Sequence, residues 1–112
     1  MAVKNQSQKT YCVPLDTISK ILLNPDFCQC LGVEYIEAAT YPDGAVEFRY
    51  KRKTTMTRYG RNYFVKIKKL GDNQSEVTVA TQSRKVTVLF DTQWKEEVQK
   101  TFGFIDMFLR KQ

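Results

Sequence analysis

Ala45–Leu70, AVEFRYKRKTTMTRYGRNYFVKIKKL, holds two runs in which apolar and polar residues alternate, separated by an irregular middle. In the first run Val46, Phe48 and Tyr50 point one way and Glu47, Arg49 and Lys51 the other, because successive strand side chains project to opposite faces. In the second, Tyr63, Val65 and Ile67 share a face, and Phe64, Lys66 and Lys68 share its reverse. The spacing predicts strands over 45–53 and 62–69, with Gly60 marking a bend or bulge between them. A period of two in both runs means a sheet with one face on a core and one face in water.

Upstream, Tyr41-Pro42-Asp43-Gly44 is a strong reversal signal, so Val33–Ala39 is predicted to pair with the first run as a hairpin. Before it, Leu15, Ile18, Ile21 and Leu22 fall at helical spacing. Asn24-Pro25 ends that helix. A further helical turn over PDFCQCLG is expected to fold Phe27 and Leu31 back, with Gly32 as its exit. Lys9–Val13 is expected to form a short first strand, and residues 1–8 a disordered N-terminus ahead of one domain at 9–112. Downstream, Gly71-Asp72-Asn73 is a turn, followed by predicted strands over 76–81 and around Val86, Val88 and Phe90. Asp91 or Thr92 can cap a long last helix. There Trp94, Val98, Phe102, Ile105 and Leu109 recur at three and four residues. Glu96 and Glu97 lie early, and Arg110 and Lys111 late, as the helix dipole prefers. Gly103 in its middle is expected to permit close packing on the sheet. The fold class is therefore α+β: an antiparallel sheet of about five to six strands, one face covered by a short N-terminal helix and a long C-terminal helix.

Charge is unevenly spread along the chain. Of 18 Lys and Arg, nine fall in 49–70, with no Asp or Glu among them. Residues 1–48 hold three bases and six acids, and residues 49–85 hold eleven bases against Asp72 and Glu76 alone. Such local positive charge attracts nucleic acid or another anionic partner. Arg49, Lys51, Arg52, Lys53, Arg58, Tyr59, Arg61, Lys66 and Lys68 are the candidate binding residues, with Tyr59 and Phe64 the rings available to stack on bases. Solubility and protection of sheet edges account for the same charges without a partner.

Catalytic signatures are sparse. The chain has no histidine, which removes imidazole bases and Ser-His or Cys-His dyads. It has neither a Walker-type loop nor a dinucleotide fingerprint. Cys28 and Cys30 form only a C-x-C pair, so no metal site or other cofactor is expected. With Cys12 they make an odd set without a secretory leader or membrane-length apolar run, which predicts reduced thiols in a cytoplasmic protein. A non-enzymatic binding domain is the expectation.

The element order resembles the TATA-box-binding-protein-like and START-like helix-grip folds. The run Ile21–Ala38, ILLNPDFCQCLGVEYIEA, is similar to the helix-to-strand segment of START-like and polyketide-cyclase-like domains. The later segment resembles small uncharacterised bacterial domains, keeping Gly60, Asn62 and Asp91 but lacking a glycine within Thr92–Lys95. This resemblance implies a fold and, for the bacterial group, no established activity. It also implies an alternative function, a carrier holding a small apolar ligand between sheet and helix. A protein–protein adaptor using the basic face is the remaining reading.

Overall fold

The computed structural model of the protein describes residues 5–56, 60–83 and 93–111. Its elements run β1 (Gln6–Tyr11), α1 (Leu15–Leu22), α2 (Pro25–Leu31), β2 (Glu34–Thr40), β3 (Val46–Arg52), β4 (Arg61–Gly71), β5 (Gln74–Ser83) and α3 (Trp94–Arg110). The strand expected around Val86–Phe90, and the helix cap expected at Asp91 or Thr92, lie outside the described residues. The five strands form one antiparallel sheet in the order β1-β5-β4-β3-β2. The chain thus starts at one edge, crosses to the other through α1 and α2, and returns strand by strand.

Local chemistry explains the crossing. Pro25 occupies the first turn of α2, where a missing N–H costs nothing. The Asn24 side chain caps that turn by accepting from the Asp26 amide at 2.9 Å. Gly32 ends α2 in the left-handed region, φ 75°, so that its own amide and that of Val33 both reach the Cys28 carbonyl. Val33 then leads into β2. The β2–β3 turn closes with Gly44 at φ 88° donating to the Tyr41 carbonyl.

β1 begins at Gln6, earlier than the expected Lys9, because pairing with β5 from Gln6↔Ala80 to Tyr11↔Ser75 gives these polar residues a ladder that their pattern does not advertise. Elsewhere the alternation holds. Phe48, Tyr50, Tyr63, Val65, Ile67, Val77 and Val79 are buried on one sheet face. α1, α2 and α3 cover them with Ile18, Leu22, Phe27, Ile105 and their neighbours. Each large apolar side chain so buried contributes roughly 1.5–3 kcal/mol.

At the α2 end this interior is filled by rings. Phe27 meets Tyr50 at 6.3 Å and Phe108 edge-on at 5.9 Å between centroids. The Tyr50 hydroxyl donates to the Leu22 carbonyl at 2.6 Å, which satisfies it in a dry site. Gly103 does not serve close packing as the sequence suggests: nothing lies within 4 Å of where its Cβ would stand. No helix of the described residues is long and apolar enough to cross a membrane.

Candidate functional site: a buried polar cluster beneath α3

Two candidate residues from the basic stretch lie inside the fold. Arg52 continues the parity of Phe48 and Tyr50, and Arg61 that of Tyr63 and Val65, so both turn toward α3. They are also register partners across β3 and β4. Arg61 is only 2% exposed, and the Arg52 side chain 11%. Their assignment to a solvent-facing surface is therefore corrected: period two carries them to the core face, whatever their charge.

Side chains from β3, β4, β5 and α3 meet there. Arg52 Nη1 donates to both Glu97 carboxylate oxygens at 3.3 Å and to the Tyr63 hydroxyl at 3.2 Å. The Tyr63 hydroxyl in turn donates to Glu97 Oε1 at 2.8 Å. Arg61 Nη1 donates to Thr81 Oγ1 at 2.9 Å, and Thr101 Oγ1 to the Glu97 carbonyl at 2.8 Å. Two guanidinium groups on neighbouring strands would repel across a sheet. The Glu97 carboxylate, lowered onto Arg52 from α3, offsets that repulsion.

The electrostatics follow from this packing. Burial by itself pushes the Glu97 pKa up; the Tyr63 hydroxyl, then the Arg52 and Lys100 charges, outweigh it and hold the carboxyl below its ordinary range. Burial, reinforced by the hydrogen bond to Glu97, pushes the Tyr63 phenol well above its ordinary value. The cluster is thus an ionised carboxylate held by a neutral phenol and a guanidinium in a largely water-free setting.

Sequence reading took Glu97 only as a favourable helix-start charge. The missed signal was helical spacing: Glu97 lies four residues before Thr101 and eight before Ile105, both fully buried.

The other candidate residues occupy the outer sheet face, but not as a free basic surface. Arg49 donates to Glu47 at 2.8 Å and to Glu37 at 3.0 Å. Glu34 stands 4.0 Å from Lys51 and 3.3 Å from Lys53. Lys66 is opposite Glu47 in the β3–β4 register, with its ammonium 4.5 Å from the centre of the Tyr41 ring. Lys68 is opposite Glu76. Acids from β2, β3 and β5 therefore interleave with the bases of β3 and β4, and a net charge counted along the chain overstates the field at this face. Phe64 sits half-buried among them. Arg58 and Tyr59 lie outside the described residues.

Among the described residues no three His, Cys, Asp or Glu side chains group closely enough to hold a metal ion. Cys12, Cys28 and Cys30 are free thiols, and burial raises the pKa of Cys28.

A covered antiparallel sheet with a long C-terminal helix lying across it is the helix-grip arrangement, and solved structures share it. Ara h 8.0201 superposes with a TM-score of 0.60 at 13% identity, covering 96% of this chain and 97% of that one. A START superfamily protein from Mycobacterium smegmatis gives 0.56 at 13% identity, covering 93% and 92%. The di-domain ARO/CYC StfQ from the steffimycin biosynthetic pathway gives 0.53 at 14% identity, covering 89% of this chain and 43% of that one. This chain therefore spans less than half of the di-domain protein. The class is that of START-like helix-grip folds. No family model and no curated protein matches the sequence.

Proposed function

We propose that this protein is a small-molecule-binding domain that carries a largely apolar ligand between its sheet and α3, with the Arg52–Tyr63–Glu97 cluster meeting the ligand's polar end. The buried cluster carries the reading. A fold of this kind needs no ion pair inside it, and burying one is commonly no more stabilising than filling the same space with apolar side chains. A binding site, by contrast, needs a few convergent polar groups at the end of an apolar enclosure, to orient what enters. Arg52, Arg61, Tyr63, Thr81 and Glu97 supply convergent polar groups, set on strands and a helix. The likeness to a START superfamily protein and to an ARO/CYC protein supports the same reading at the level of fold. Interleaved charge on the outer face weighs against an anionic partner there.

Native mass spectrometry of the purified protein, followed by titration with the neutral apolar dye Nile red, tests this function. The expected result is a retained small molecule or saturable dye uptake, weakened by Tyr63→Phe. A single mass equal to the bare chain together with no saturable uptake would overturn it.

A further inference from the structure

We draw no further inference here: the strongest candidate, the surface patch where Tyr35 and Ile36 stand exposed on the edge strand β2, carries nothing because nothing in the structure shows what covers it.

Discussion

Arg49 and Arg52 stand on the same strand, one turned outward and one inward, and each meets a glutamate. Outside, Arg49 bridges Glu37 and Glu47 with a third of its side chain in water. Inside, Arg52 and Glu97 are 11% and 4% exposed and share a phenol. The contacts are chemically alike and physically different. Water and salt screen the outer set, so its members can be exchanged at little cost. The inner set has lost its hydration, so each member depends on the others. Charge on the outer face is paired in water within and between neighbouring strands, whereas charge beneath α3 requires a reason, and the proposed ligand would supply one.

The largest effect is expected at Glu97. Glu97→Ala leaves Arg52 desolvated beside Arg61 and should cost about 3–5 kcal/mol in chemical denaturation, the usual range when one partner of a buried pair is removed. A loss no larger than that of an outer-face change would erase the distinction between the two faces. Acid should reproduce part of it. The folded state holds the Glu97 carboxyl below its ordinary pKa, so between that depressed value and about 4.3 the unfolded chain binds the extra proton. Stability from this group is complete above about pH 4.3 and declines as pH falls through the folded value. The unfolding free energy of Glu97→Gln, followed from neutral to acid pH, should lack this component; parallel profiles for the two proteins would count against an ionised Glu97.

Tyr63→Phe comes next. It removes the hydroxyl's bonds to Glu97 and from Arg52 and should cost about 1.5–3 kcal/mol, read as a lower denaturation midpoint with unchanged slope. An altered slope would mean that the cluster shapes the whole packing of α3 rather than one contact. The smallest effect is expected outside. Arg49→Gln should leave the denaturation midpoint unchanged within error. In the same spirit, titration with single- and double-stranded DNA and RNA at two salt concentrations should show no salt-sensitive binding that Lys66→Glu with Lys68→Glu abolishes; finding such binding would restore the outer face as a working surface.

Much of the architecture can be read from local pattern. Phe48, Tyr50, Tyr63, Val65 and Ile67 announce their face by period two, and Trp94 through Leu109 announce a helix by period near 3.6. Asn24-Pro25 and Gly32 mark the ends of α1 and α2 through backbone chemistry that acts over a few residues. The polar cluster was legible in principle by the same rules, since Arg52, Arg61 and Glu97 obey the parity and spacing of their apolar neighbours. Basic and acidic side chains are ordinarily assigned to water, and that habit hid them. β1 was harder. Gln6–Tyr11 has little apolar alternation, and only its ladder to β5 makes it a strand.

The sequence by itself determined which residues alternate, where the chain turns and caps, and that a helix-grip order of elements results, because those properties arise from neighbours a few positions apart. Tertiary structure alone decided what the basic residues of 49–70 do. Several of their acidic partners lie far along the chain: Glu37 is 12 residues from Arg49, and Glu97 is 45 from Arg52. Charge counted along a sequence adds up neighbours in the chain, whereas a Coulomb interaction acts between neighbours in space. Folding brought Glu34, Glu37, Glu47 and Glu76 to the outer bases and Glu97 to Arg52, and so converted a run of positive charge into a compensated face and a buried polar cluster.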